Sequence, residues 1–116
     1  MQPLVDVAVN GDPEDPELNG VEGQRVGLPV SLIRMSTDRE GAGPALHRHP
    51  YQEVFLIHRG EALFTIADET FVGHGGQVYV APAFVPHRFR KIGAGRLEMT
   101  NVHASDVFIT EWLDGR

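Results

Sequence analysis

Three histidines, His47, His49 and His87, and one glutamate, Glu53, are the residues of this chain whose types and spacing could do chemistry. In an extended strand alternate side chains share a face, so His47 and His49 point the same way with Cα atoms ~6.6 Å apart, and two imidazoles can converge on one ion. Pro50 bends the chain after the pair. Glu53 then opens an apolar run in which Phe55 and Ile57 lie on its own face, where an unpaired carboxylate would cost too much and a cation would partner it. Pro86-His87 opens the run HRFRKI, with Phe89 on the same face as His87, and offers a fourth donor. Three neutral imidazoles and one carboxylate suit one divalent transition ion (Fe, Mn, Ni, Cu or Zn) and argue against calcium or magnesium, which prefer all-oxygen sites. With such an ion the site carries a charge of about +1. A closed structural zinc site with four protein ligands is the competing metal reading, although structural zinc usually uses cysteine.

The elements that must position these residues are short strands. Thirteen glycines and eight prolines interrupt a chain of 116 residues, and the apolar residues between them come in short runs. Strand-like runs are expected at Gln24 to Thr37, Tyr51 to His58, Glu61 to Ala67, Thr70 to Gly73, Gln77 to Ala81, His87 to Ile92, Leu97 to His103 and Val107 to Leu113. No segment has sustained helical periodicity and no gap would hold a crossover helix, so the pairing is mostly antiparallel. An all-β domain follows, closed as a β-barrel or a two-sheet jelly roll. Residues 1–22 read as an N-terminal arm and acidic loop, and residues 23–116 as the barrel domain. In the first part Leu4, Val5, Val7 and Val9 could add an edge strand. The segment from Asn10 to Gly20, with its acids and prolines, reads as a linker loop that neither extends a strand nor packs in a core.

The histidine stretch resembles the first motif of the cupins, G-x5-H-x-H-x3-E-x6-G, at each fixed position: Gly41, His47, His49, Glu53 and Gly60. The second motif, G-x5-P-x-G-x2-H-x3-N, is matched at Gly76, Pro82 and His87, with Phe84 where glycine is usual and Lys91 where asparagine is usual. The resemblance runs from about Val30 to His103. It implies a small single-domain jelly-roll barrel, often dimeric, holding a metal through His47, His49, Glu53 and His87; the bland alternative is a cupin whose quartet has become hydrogen-bonded polar residues without a metal. Without glycine at position 84 that turn is expected not to rely on a positive φ.

The inward faces predict a pocket lined by Phe55, Ile57, Tyr79, Phe89, Leu97 and Met99, with Phe84 narrowing the mouth. His58, His74 and His103 read as surface or edge residues, and Arg88 and Arg90, alternating with Phe89, as outward-facing. Val54 and Leu56 are apolar on the face away from the metal, so something covers them. A homodimer is preferred over cover by the N-terminal arm or another sheet, with Phe108, Ile109 and Trp112 as further apolar material.

Sixteen acidic against ten basic residues, a net charge of −6, disfavour nucleic acid and an anionic membrane as partners. The absence of cysteine removes disulfides and thiolate chemistry. No apolar run is long enough to span a bilayer and the N-terminus lacks the basic start of a secretory signal, so a soluble cytoplasmic protein is expected. The function this predicts is that of a metal-dependent oxidoreductase, a dioxygenase acting on a small molecule with adjacent oxygens. A non-catalytic small-ligand-binding protein and a metal-assisted isomerase or decarboxylase are the alternatives.

Overall fold

The computed structural model describes residues 11–12 and 15–113. Its strands are β1 (Gly11–Asp12), β2 (Asp15–Val21), β3 (Ser31–Thr37), β4 (His47–Arg48), β5 (Glu53–Arg59), β6 (Glu61–Ile66), β7 (Glu69–His74), β8 (Val78–Ala81), β9 (His87–Ile92), β10 (Leu97–His103) and β11 (Glu111–Trp112). They form two antiparallel sheets, one ordered β1-β2-β3-β10-β5-β8 and the other β11-β4-β9-β6-β7, which face each other as in a jelly roll. No helix among the described residues is long and apolar enough to cross a membrane.

Period-two alternation decides what each strand buries. Along β9, His87, Phe89 and Lys91 are buried while Arg88 and Arg90 are exposed, and along β10 the inward residues are Leu97, Met99, Asn101 and His103. Phe64 of β6 is fully buried and meets Phe55, Phe71, Tyr79 and Phe89 with ring centroids 5.3, 5.7, 5.4 and 5.5 Å away. This aromatic cluster joins the two sheets. The chain passes from one sheet to the other between β5 and β6 at Gly60, whose φ is 88° and where a Cβ would lie 2.3 Å from the Arg96 carbonyl oxygen, so only glycine fits there.

Three expectations are corrected. The Asn10 to Gly20 segment is not a loop throughout, because β2 runs through it and pairs with β3 at Leu18↔Met35, Asn19↔Arg34, Gly20↔Ile33 and Val21↔Leu32. The β3-paired part begins after Pro16, so that proline removes no donor from the β2–β3 ladder. The expected strand from Gln24 to Thr37 is cut short by a 3-10 turn at Gly23–Arg25 and by Gly27 at φ 76°, and starts only at Ser31. Between Val107 and Leu113 only Glu111–Trp112 is strand. There the Phe108 N–H donates to Glu22 Oε2 at 2.8 Å and the Ile109 N–H to the Tyr51 hydroxyl at 3.2 Å, so side chains take the bonds a neighbouring strand would have used. The proposed edge strand at Leu4 to Val9 lies outside the described residues.

Candidate metal centre

The quartet is assembled from both sheets. His47 opens β4 and pairs in register with His87, the first residue of β9, while Glu53 opens β5 in the opposite sheet and pairs with His103 at the end of β10. His49 follows β4 directly. All of these side chains are buried, His47 being the most accessible at 6%. One donor atom from each of His47, His49, Glu53 and His87 lies within 4.8 Å of every other.

Backbone carbonyls settle how the three histidines face the centre. His47 Nδ1 lies 2.7 Å from the Ala45 oxygen, His49 Nδ1 2.8 Å from the Ile109 oxygen and His87 Nδ1 2.9 Å from the Val85 oxygen. A carbonyl can only accept, so each Nδ1 carries its proton and each neutral ring turns an Nε2 lone pair inward. Glu53 Oε1 sits 3.0 Å from His49 Nε2 and 3.1 Å from His87 Nε2. Lone pairs meeting a carboxylate oxygen at that distance repel unless a second proton or a cation lies among them. A divalent transition ion fits this donor set, and Nδ1 bonds of this kind are how ligating histidines are oriented.

Electrostatics agree with a ready ligand set. Burial pushes the Glu53 carboxyl up, but contacts with His103, and with His49 and His87 once a proton or cation lies between their Nε2 atoms and Oε1, outweigh it and hold the group well below the usual carboxylate range. Burial lowers His47 to about 4, reinforced by the neighbouring His87 and His49 against the opposing Ala45 bond, so this imidazole is neutral at pH 7.

Beside the quartet lies a cavity of about 410 Å³ with His47, His49 and Glu53 in its wall. Of the expected pocket residues, Phe89 lines it. Phe55, Ile57, Leu97 and Met99 are instead packed in the core, Tyr79 packs against that core, and Phe84 is 60% exposed and away from the cavity. The walls come from Leu18, Ile33 and Met35 on the β2–β3 side and from Phe108, Thr110 and Trp112 on the C-terminal segment. Trp112 stands 5.0 Å from the His47 ring.

The motif departures are also resolved. Phe84 keeps the left-handed backbone that glycine would supply, with φ 65°, and its N–H donates to the His49 carbonyl at 2.7 Å, which ties the β8–β9 turn to the centre. The expectation that this turn would give up a positive φ is therefore overturned: the bond to His49 holds the conformation that the side chain disfavours. Lys91 is buried away from the quartet and directs its ammonium to the Gly93 carbonyl and to Glu40 Oε1 at 3.4 Å.

His58 and His74 are exposed as expected, but His103 is 3% exposed, with Nε2 3.3 Å from Glu53 Oε2. The signal for it was the alternation that puts Leu97 and Met99 inward, which puts Asn101 and His103 inward too. Tyr51, whose hydroxyl lies 2.8 Å from His103 Nδ1, was likewise missed.

Comparison with known proteins bears on the whole domain. The family model of the cupin domain matches residues 34–103. No curated protein matches the chain significantly. Among solved structures, an oxalate oxidase is similar over 95% of this chain and 63% of its own, at 18% identity and a TM-score of 0.76. The Bacillus subtilis oxalate decarboxylase, described for its Mn(II) centres, is similar over 83% of this chain and 27% of its own, at 21% identity and a TM-score of 0.73. A conserved Streptococcus pyogenes protein of unknown function is similar over 66% of this chain and 64% of its own, at 28% identity and a TM-score of 0.58. The chain thus spans less than two thirds of each of these proteins, and its likeness to the two oxalate enzymes is one of fold.

Proposed function

The chain belongs to the cupin family, and from that premise we propose that it is a metal-dependent enzyme acting on a small molecule with adjacent oxygens, in which His47, His49, Glu53 and His87 hold one divalent transition ion. The observation that carries this reading is four convergent donors, within 4.8 Å of one another, at the wall of a cavity of about 410 Å³. That volume suits a small substrate. The Mn(II) centres of the Bacillus subtilis neighbour support manganese as the ion, with iron as the close competitor. Bound there, such an ion supplies a Lewis acid and a one-electron couple.

The chain's own residues do the rest. Three neutral imidazoles and one carboxylate leave the loaded centre with a charge of about +1, which attracts an anionic chelating group such as an enolate or a carboxylate. Leu18, Ile33, Met35 and Phe108 keep the cavity wall apolar and limit water near that charge. Asn101, buried in the same wall, has an Oδ1 with no partner among the described residues and can orient a substrate hydroxyl or acid. Oxidation by dioxygen is the reaction this arrangement favours. Decarboxylation is the second reading, supported by the fold shared with oxalate decarboxylase.

The test is to load metal-free protein separately with Mn(II), Fe(II) and Zn(II) and follow oxygen uptake and carbon dioxide release with catechols, 1,2-diketones, enols, small thiols and short dicarboxylates. Turnover with oxygen uptake in the manganese or iron form, and none in the zinc form, is expected. Carbon dioxide release without net oxygen uptake selects decarboxylation. Equal binding of one ligand to all three forms without turnover would make this a binding protein.

A second copy of the chain is the partner inferred for the outer face of the larger sheet. Val80, Val54, Val102 and Leu32 align in register across β8, β5, β10 and β3, with Leu56 and Val78 beside them. Val78 and Val80 are 56% and 47% exposed, so the row extends into water at its β8 end. Val78→Lys with Val80→Lys is expected to turn a dimer into a monomer in sedimentation, since lysines would be desolvated and repel across the two-fold axis. A wild-type protein that sediments as a monomer at tens of micromolar refutes this assembly.

A further inference from the structure

His103 differs from the three proposed ligands in what its outer nitrogen meets. Its Nδ1 faces not a carbonyl but the Tyr51 hydroxyl, 2.8 Å away, and that hydroxyl oxygen already receives the Ile109 N–H at 3.2 Å. Glu53 Oε2, which as a carboxylate oxygen can only accept, lies 3.3 Å from His103 Nε2, so the neutral imidazole carries its proton on Nε2 and its Nδ1 accepts from the Tyr51 hydroxyl. Nε2 has no hydrogen bond to any other described group, and the acceptor facing it is Glu53 Oε2 at 3.3 Å. The other carboxylate oxygen, Oε1, is the one that faces His49 and His87.

We propose that His103, oriented by Tyr51, is a positioning residue for Glu53: its Nε2–H engages Oε2 and keeps Oε1 presented to the ion. A protonated Nε2 cannot ligate, so His103 stands behind the donor set rather than in it. The packing fixes it there, with Phe108 edge-on at 5.0 Å and Tyr51 stacked at 5.0 Å on His49. The same tyrosine thereby steadies one proposed ligand by stacking and another through His103. This inference rests on the reading of His47, His49, Glu53 and His87 as the ligand set.

The test compares His103→Ala, His103→Gln, Tyr51→Phe and His49→Ala in the full chain. Manganese content, manganese affinity by competition with a chelator, the Mn(II) electron paramagnetic resonance spectrum and the far-ultraviolet circular dichroism spectrum are measured for each. His103→Ala is expected to lose ~10–100-fold in affinity while still binding one ion at saturation, the range for removing a group that orients a ligand. His103→Gln, which keeps an N–H donor, restores most of that loss, and Tyr51→Phe changes the resonance spectrum with a smaller loss of affinity. Absence of rescue by glutamine, combined with an unaltered Tyr51→Phe spectrum, would make His103 a ligand and overturn the proposal. Unchanged affinity and spectrum in both the Ala and Phe variants overturns it as well, and those two variants decide independently should one fail to fold. Full manganese content in His49→Ala overturns the ligand set itself and the positioning role with it, a failure distinct from the other two.

Discussion

Loading the protein with its ion should raise its thermal stability by an amount that can be worked out beforehand. A ligand that binds only the folded state contributes RT ln(1 + [L]/Kd), or about 4.1 kcal/mol at a thousandfold excess over Kd. The unfolding entropy is about 2.1 cal/mol/K per residue near the midpoint, which for 116 residues makes about 0.24 kcal/mol/K. The expected shift is therefore about 17 °C. Each tenfold loss of affinity removes about 1.4 kcal/mol, or about 6 °C, so His49→Ala or Glu53→Ala at the same ion concentration should show a visibly smaller shift. The single tryptophan, Trp112, lies 5.0 Å from His47 and reports both events, because its emission follows unfolding and an open-shell ion beside it quenches it. Metal-free samples with a chelator give the baseline. A shift of the same size in the His49→Ala, Glu53→Ala double variant refutes the reasoning, since the stabilising ion would then be bound elsewhere.

Further outcomes follow from particular contacts. At Phe84 the left-handed φ of 65° reverses the usual order of small residues: Phe84→Gly is expected to be more stable than Phe84→Ala by about 1 kcal/mol in denaturant unfolding, and equal stabilities would contradict the strain. Phe64→Ala removes a fully buried ring from the aromatic cluster, so a loss of about 3–5 kcal/mol with unchanged metal stoichiometry is expected by denaturant titration at saturating ion. In the metal-free protein, His47 titrates near 4 when folded against an ordinary 6.5. Between those values the unfolded state binds the extra proton, so stability is retained above pH 6.5 and falls with acid by roughly 3 kcal/mol at most. Chemical unfolding at several pH values checks this, and His47→Gln should flatten that limb. A wild-type limb that stays flat from pH 6.5 to 4 contradicts the His47 assignment.

The strands that were most legible are those with clean alternation. β9 and β10 run over the residues expected, His87–Ile92 and Leu97–His103, because buried and outward residues alternate along both. β2 was hidden because its acids and prolines look like a loop, and the few residues that pair with β3 were read as part of it. Alternation also explains the limits at the site. It tells which residues point inward but not how high along the barrel each sits, a quantity set by the stagger of the two sheets. Phe55, Ile57, Leu97 and Met99 do point inward, yet they fill the packed half of the barrel. His103 escapes a surface-or-edge reading for the complementary reason: it ends its strand, where exposure is common, but the alternation along β10 turns it inward.

Ile109 offers its carbonyl to His49 and its N–H to Tyr51, so the backbone of one residue far downstream orients both. That has a consequence for timing during synthesis. His49 and Ile109 are 60 residues apart, and a ribosome adding about 5–20 residues per second needs roughly 3–12 s to pass from one to the other. Throughout that interval the growing chain already carries His47, His49 and Glu53, but the His49 ring has nothing to hold its tautomer or direction. An ion met at that stage would find loose donors with little power to discriminate. Selection among competing ions therefore belongs to the finished fold, and refolding in the presence of a strongly binding wrong metal should load the site differently from adding that metal afterwards.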